Sequence, residues 1–427
     1  MDLVVSKINK VIGKIAVSGD KSISHRSIML GGIAENETHV HNLLLSEDVK
    51  NTINCLEKLG VIVERQNDIT IVKGMPPEHY KPYYGQLDAG NSGTAVRLLL
   101  GLISGSSNSY CFTGDYSLKS RPMKRITDPL KEMGANISFV EKNNLLPIII
   151  KGGNLQAINY KLPVASAQVK SAIILAGLQG TGTTVIEEPE VTRDHTEIMV
   201  NYFGGKIEKD DSFIKIEGRQ KLVGNEVFVP GDISSAAFLI VLALISPKSE
   251  LLIENVGLNP TRTGIIDALK SMGANIEIIF EKVSNGEKYG HIMVKNSNLT
   301  GTTIEGNIIP RLIDEIPILA VAATFAEGKT TIRNAEELKV KESNRIEMMV
   351  TQLGKMGAKI EETEDGMIIE GPTKLKGLVV DSGGDHRIAM ALAIAGMMAE
   401  GQTKVLGSNC ISISFPEFED ILKKIIK

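Results

Sequence analysis

The chain has 427 residues, a formal net charge of −4 and 23% charged residues, a balance that offers nothing for bulk nucleic-acid binding. Tryptophan is absent and aromatic residues make up 4%, which argues against base-stacking surfaces. The three cysteines, Cys55, Cys111 and Cys410, have no paired or metal-type spacing, which favours a reducing compartment. The segment Met1 to Lys7 has no signal-peptide pattern, and the longest apolar run, Ala236 to Ile245, is too short to span a bilayer. A cytoplasmic protein without a membrane partner is expected.

Val4 to Val17 alternates weakly and reads as an opening strand pair. The first helix start follows at Lys21-Ser22-Ile23-Ser24-His25-Arg26. Comparable starts recur at Asn91-Ser92-Gly93, Ser166 to Ser171, Asp232-Ile233-Ser234-Ser235, Asp314-Glu315 and Asp385-His386-Arg387. Each leads into an apolar, alanine-rich run, at intervals of about 70–80 residues, far beyond the short solenoid periods. A second word recurs between them: Leu56 to Gly60, Leu130 to Ile137, Tyr202 to Ile207, Leu269 to Ile276 and Leu353 to Ile360. Each reads as a glycine-capped helix end followed by a strand. A third word, short and β-rich, closes the unit at 69–74, 147–152, 213–218, 291–295 and 367–371. Each unit therefore reads strand, helix, strand, helix, strand, strand, and the length suits two domains of three units. Val17 to Ser22 is echoed by Val229 to Ser234, which places two domain crossings there. One domain is then 20–229 and the other 1–19 plus 230–427.

Residues able to do chemistry gather at the helix starts. In Gly90 to Gly101, a polar, glycine-rich loop feeds a helix whose free N–H groups point at an anion. Lys21, Arg26, Arg97, Lys170 and Arg387 lie in or near first turns, where a cation opposes the helix dipole at a cost of ~0.3–1 kcal/mol each. Several such cations together point to bound anions. The loops Lys119 to Arg125 and Lys339 to Arg345 add more. Lys341 and Arg345, four apart, are expected on one helix face beside Glu342, an arrangement suited to a carboxylate or phosphate held by a guanidinium fork. Asp314-Glu315 opens an apolar helix and reads equally as an N-cap or as a general base. Gly328-Lys329-Thr330 fails as a P-loop, because it follows a helix and Ala323 stands where glycine is needed. His25, His195 and His386 are isolated and read as hydrogen-bonding residues at helix starts.

Taken together, Asp20 to Arg26, Asn91 to Thr94, Ser120-Arg121-Pro122, Lys341 to Arg345 and Asp385 to Met390 resemble the EPSP synthase family, essentially end to end. The lysine–serine–histidine–arginine and lysine–glutamate–arginine words are specific; the glycine loop alone is not. The resemblance implies an α/β fold, the two-domain inside-out α/β barrel of six βαβαββ repeats, three per domain, with the active site in the cleft between them. It implies transfer of the enolpyruvyl (carboxyvinyl) group of phosphoenolpyruvate to the 5-hydroxyl of shikimate 3-phosphate. That reaction proceeds by addition and elimination through a tetrahedral intermediate, releases phosphate, and is a step towards chorismate and the aromatic amino acids. Neither a metal nor an organic cofactor is implied.

Carried onto matching positions, the resemblance places shikimate 3-phosphate on Lys21, Ser22, Arg26, Ser166, Ala167, Gln168, Arg193, Asp314 and Lys341. It places phosphoenolpyruvate on Lys21, Asn91, Gly93, Arg121, Gln168, Arg345 and Arg387. Lys21, Asp314 and Glu342 are then catalytic: Asp314 at the 5-hydroxyl proton, Glu342 and Lys21 at the methylene carbon. The partners are small molecules, and a monomer is expected. Gly93 is the residue type of glyphosate-sensitive members, in an altered neighbourhood. Ile413 stands two residues before Phe415-Pro416, where many relatives carry lysine, and Leu98, Ala167 and Thr192 to His195 also depart from other members. These features fit the branch found in many Gram-positive bacteria. The UDP-N-acetylglucosamine enolpyruvyl transferases share the implied fold, but their loop cysteine falls at Tyr116 here and they lack the lysine–serine–histidine–arginine word. A non-catalytic ring of repeats clamped on nucleic acid would have no use for Lys341, Glu342 and Arg345 together.

Overall fold

A computed structural model describes residues 2–427. The chain forms two compact units: one holds Gly19–Val229 with Ser284–Glu287, the other residues 2–18, Pro230–Val283 and Lys288–Lys427. The short piece Ser284–Glu287 is an excursion of which the sequence holds no sign. Each unit has its own apolar core.

The cores are built on helices that are buried on nearly every side. The Gly19–Val229 unit contains α1 (Lys21–Gly31), α2 (Gly93–Ile103) and α3 (Ala167–Gly177). The other contains α4 (Ile233–Ile245), α5 (Ile316–Phe325) and α6 (His386–Met398). Ile233 to Leu244 of α4 and His386 to Met397 of α6 are buried without a break. A helix without a polar face is stable only in an interior.

Among the described residues lie six small sheets, five of four strands and one of three. One repeat shows the pattern. Gln86–Asp88 runs parallel to Ser109–Thr113, which pairs antiparallel with Ile148–Lys151, itself antiparallel to Asn136–Phe139. Between these strands run α2 and the helix Lys124–Glu132, giving strand, helix, strand, helix, strand, strand. The glycines of the recurring second word, Gly60, Gly134, Gly204, Gly273 and Gly357, all have φ between 82° and 106°. That is the left-handed region a helix-ending glycine tolerates without a Cβ clash.

The opening strand pair is a correction. Leu3–Ser6 and Ile12–Ala16 do not pair with each other. Leu3–Ser6 runs antiparallel to Gln402–Leu406, and Ile12–Ala16 runs parallel to Glu250–Gly257. The repeat that begins with α1 likewise takes its parallel strand from far along the chain: Glu226–Phe228 lies beside Glu37–His41. In each case a sheet short of one strand offers an open edge of backbone donors and acceptors, and that edge, not sequence proximity, captures the strand.

Close helix contact in the Gly19–Val229 core depends on Gly101, where a Cβ would fall 2.2 Å from the Ala172 carbonyl oxygen of α3. Gly101→Ala is therefore expected to lower stability by ~1–3 kcal/mol, read as a shift of the urea midpoint at constant slope. An unchanged midpoint would show that α2 and α3 separate freely.

Candidate functional site

In the Gly19–Val229 unit, three helix starts carry the predicted residues. Asp20 caps α1, its carboxylate accepting from the Ile23 N–H at 2.9 Å. Lys21 donates from Nζ to Asp48 Oδ2 at 3.0 Å. Arg26, one turn further in, is buried, and donates from Nε to Thr196 Oγ1 at 2.7 Å, from Nη2 to Ser171 Oγ at 2.8 Å and from Nη1 to the Ser22 carbonyl at 3.0 Å. Burial pulls its guanidinium down to about 10, against the opposing pull of Glu197 and Asp20. A buried cation whose hydrogen-bond partners are neutral hydroxyls and a carbonyl is a ready counterpart for an anion.

At the second start, Ser92 caps α2 by accepting from the Ala95 N–H at 3.1 Å. Arg121 donates from Nη2 to Asn91 Oδ1 at 2.8 Å and to Ser117 Oγ at 3.0 Å, and Asn91 in turn donates to Asp115 Oδ2 at 2.6 Å. A Cβ on Gly93 would lie 3.1 Å from Arg97 Nη1 and 3.5 Å from Arg121 Nη1. Two guanidinium groups thus flank a backbone that only glycine leaves open. At the third start, Ser166 caps α3, accepting from the Val169 N–H at 3.4 Å. Gln168 ties this start to the second: its Nε2 donates to Thr94 Oγ1 at 3.0 Å, and its Oε1 accepts from Arg97. Ser22, Arg26, Thr94, Ala167, Gln168, Arg193 and His195 line one small pocket. A second, open depression, lined by Asn42, Leu43, Leu45, Arg65, Asp68 and Thr70, contains none of the predicted residues.

Lys170 is a correction. It was expected among the anion-binding cations, but it is fully enclosed, 3.0 Å from Glu188 and 2.7 Å from Glu197. Burial alone would strip its proton; the two carboxylates outweigh it and hold the ammonium above its ordinary range. Glu188 also accepts from the Thr192 N–H at 3.2 Å and from its hydroxyl, so the cluster anchors the loop that carries Arg193.

In the other unit the polar residues converge on two arginines. Arg345 is 1% exposed. It donates from Nε to Asp385 Oδ2 at 2.8 Å, from Nη1 to Asp314 Oδ1 at 3.2 Å and from Nη2 to Glu342 Oε2. Burial opposes its charge, but these three carboxylates more than compensate and raise its proton affinity. Reciprocally, burial would raise Asp385, and Arg345 holds it below the usual carboxylate range. Asp385 also caps α6, accepting from the Arg387 N–H at 2.9 Å. Arg387 donates from Nη1 to the Asp314 carbonyl at 2.9 Å and to Glu315 Oε1 at 3.3 Å. Of the alternatives left open for Asp314-Glu315, the N-cap position of α5 falls on Glu315, but without a side-chain capping bond. Neither side chain caps α5, and both turn towards guanidinium groups.

Lys341 and Arg345 do not share a helix face. Lys341 follows the short 3₁₀ turn Glu336–Val340, and the helix Arg345–Lys355 starts later because Asn344 caps it, accepting from the Glu347 N–H at 3.3 Å. Lys341 is partly exposed, as is Glu342. Ile413, where many relatives carry lysine, ends the turn Ser408–Ile413 and packs against the apolar core. Sequence reasoning missed Asp48, Thr196 and Ser171, which are ordinary polar residues until folding brings them to Lys21 and Arg26. It also missed Arg262, which donates to Ser234 Oγ at 2.7 Å at the start of α4. Among the described residues, no group of three or more His, Cys, Asp or Glu is placed to hold a metal ion, and no helix is long and apolar enough to cross a membrane.

The family model described as EPSP synthase (3-phosphoshikimate 1-carboxyvinyltransferase) matches residues 5–422. The chain belongs to the EPSP synthase family. It is 64% identical, over the whole of both chains, to the 3-phosphoshikimate 1-carboxyvinyltransferase of Alkaliphilus oremlandii. It superposes on the EPSP synthase from Acinetobacter baumannii with a TM-score of 0.89 at 41% identity, covering 100% of this chain and 99% of that one. The inside-out α/β barrel of repeated units is thus the family's fold. The enolpyruvyl transferase NikO from Streptomyces tendae has a TM-score of 0.81 at 16% identity, covering 99% of this chain and 97% of that one, a likeness of fold alone.

Replacing Lys170 by methionine strands Glu188 and Glu197 in the interior and is expected to cost ~3–5 kcal/mol in chemical denaturation. In the parent protein Lys170 binds its proton more tightly folded than unfolded. Its contribution is therefore complete below about pH 10 and is lost as pH rises through the higher folded value. Parallel stability–pH curves for parent and variant above about pH 10 would remove the ion cluster from the account.

Proposed function

We propose how this chain carries out the 3-phosphoshikimate 1-carboxyvinyltransferase reaction of its family: residues of both units act on one pair of anionic substrates. The carboxyvinyl group of phosphoenolpyruvate passes to the 5-hydroxyl of shikimate 3-phosphate, and phosphate leaves. The observation that carries the assignment is the buried Arg26, held by neutral hydroxyls in a pocket with Ser22, Gln168 and Arg193. Such a site suits a phosphoryl dianion, and Ser166, Ala167, Lys21, Asp314 and Lys341 complete the shikimate 3-phosphate set.

Phosphoenolpyruvate is assigned to Lys21, Asn91, Gly93, Arg121, Gln168, Arg345 and Arg387. Gly93 lets backbone N–H groups at the start of α2 approach an anion, and the flanking guanidinium groups neutralise it. Arg345 is neutralised by Asp314, Glu342 and Asp385 in the free protein. An incoming phosphoenolpyruvate anion competes for that guanidinium and frees Glu342 and Asp314 for proton work. Asp314 then receives the 5-hydroxyl proton as oxygen attacks the enol carbon. Glu342 with Lys21 delivers a proton to the methylene carbon, giving the tetrahedral intermediate, and removes one as phosphate departs. Holding both substrates in attack geometry supplies much of the rate. The working form is proposed as a cytoplasmic monomer, and sedimentation at a mass near 46.2 kDa tests the monomer.

Phosphate release that requires both shikimate 3-phosphate and phosphoenolpyruvate tests the reading, and release with UDP-N-acetylglucosamine as sole acceptor would replace it. Glu342→Gln is expected to cut turnover by about 10²–10⁴-fold while leaving the affinity for shikimate 3-phosphate within about twofold. Equal turnover in the variant would take Glu342 out of the proton transfers.

A further inference from the structure

The helix His195–Tyr202 opens on a polar side chain that the reaction described above does not use. His195 is 2% exposed. Its Nδ1 lies 2.6 Å from Glu287 Oε1, and Glu287 is equally enclosed. Glu287 belongs to the short excursion Ser284–Glu287, which the fold counts with this unit. The other ring nitrogen, Nε2, is buried without a hydrogen-bond partner. His195 is nevertheless a lining residue of the pocket that holds Ser22, Arg26 and Arg193. A buried ring nitrogen left unsatisfied is costly unless something else satisfies it.

The charge pattern around the ring indicates what that is. Glu287 faces Nδ1, and a carboxylate can only accept there, so Nδ1 carries hydrogen. Arg26 from α1 and Arg193 from the preceding loop line the pocket with His195, Asp194 precedes it in the chain, and Lys170 of α3 is paired with Glu188 and Glu197. Arg26 feels Glu197, Asp20, Arg193 and Glu287 through space. In a neutral ring with Nδ1–H, Nε2 is an acceptor and repels an anion. A ring protonated at both nitrogens joins a carboxylate on one side to an anion on the other.

We propose that His195 is a substrate-binding residue: in the complex its imidazolium form donates from Nδ1 to Glu287 and from Nε2 to the phosphoryl group of shikimate 3-phosphate. Glu287 is the positioning residue, since it fixes the ring's orientation and balances its charge. Binding then draws one proton from solvent onto the ring, no bond to the substrate is made or broken, and the pocket gains a donor beside Arg26 and Arg193. This rests on the reading of that pocket as the sugar-phosphate site.

The test is calorimetric titration with shikimate 3-phosphate in buffers of different ionisation heat, between about pH 7 and pH 9, where the substrate phosphate is already a dianion and does not itself take up the proton. The parent protein is expected to take up protons on binding and to bind more weakly as pH rises. His195→Gln is expected to lose that uptake, to bind about tenfold more weakly at pH 7 and to converge on the parent near pH 9. Glu287→Gln keeps an acceptor at Nδ1 but removes the balancing charge, and is expected to lose the uptake as well. It also serves should His195→Gln fail to fold. Equal proton uptake in parent and variants, or an affinity ratio constant across the pH range, overturns the proposal. Arg26→Lys separates the two readings. If it weakens binding while the histidine and glutamate variants change nothing, the pocket assignment stands and the role of His195 falls. If none of the three changes binding, the pocket assignment itself is wrong.

Discussion

The constraint on which this molecule depends is that its central helices are enclosed on nearly every side. α4 and α6 are enclosed along nearly their whole length, and α2 and α3 meet so closely that a methyl group at Gly101 would collide with a carbonyl. A helix in that situation can present polar atoms only at its ends. The N-terminal ends carry Asp20, Ser92, Ser166, Asp232 and Asp385 as caps. Polar side chains therefore gather at helix starts, and the loops add Arg121, Arg193, Lys341 and Glu342.

Within that confinement each unit handles a buried guanidinium differently. Arg26 is held by hydroxyls and a carbonyl, so its charge is left for a ligand to balance. Arg345 is balanced internally by three carboxylates. The first arrangement suits a permanent anion site. The second suits residues that must change partners during a reaction, because a competing anion can release Asp314 and Glu342. Lys170 illustrates a third use of buried charge: it bonds to Glu188 and Glu197 and secures the loop leading to Arg193 and His195, taking no ligand itself.

Much of the architecture was legible in the sequence because its signals are local. Glycine-capped helix ends, apolar runs and short β-rich words recur in fixed order, and each follows from backbone geometry or from solvent avoidance within a few residues. The cations at helix starts were legible for the same reason, and the family words tied them to one reaction. Tertiary structure decided what depends on residues distant in the chain: which sheet captures Ile12–Ala16, whether Lys170 meets a ligand or two glutamates, and that Glu287 reaches His195. It also placed Lys341 off the face of Arg345, through a single cap at Asn344. Local pattern fixes conformation over a few residues, but the partner of a buried charge is chosen by whatever the folded chain brings within about 3 Å, and no spacing in one sequence encodes that.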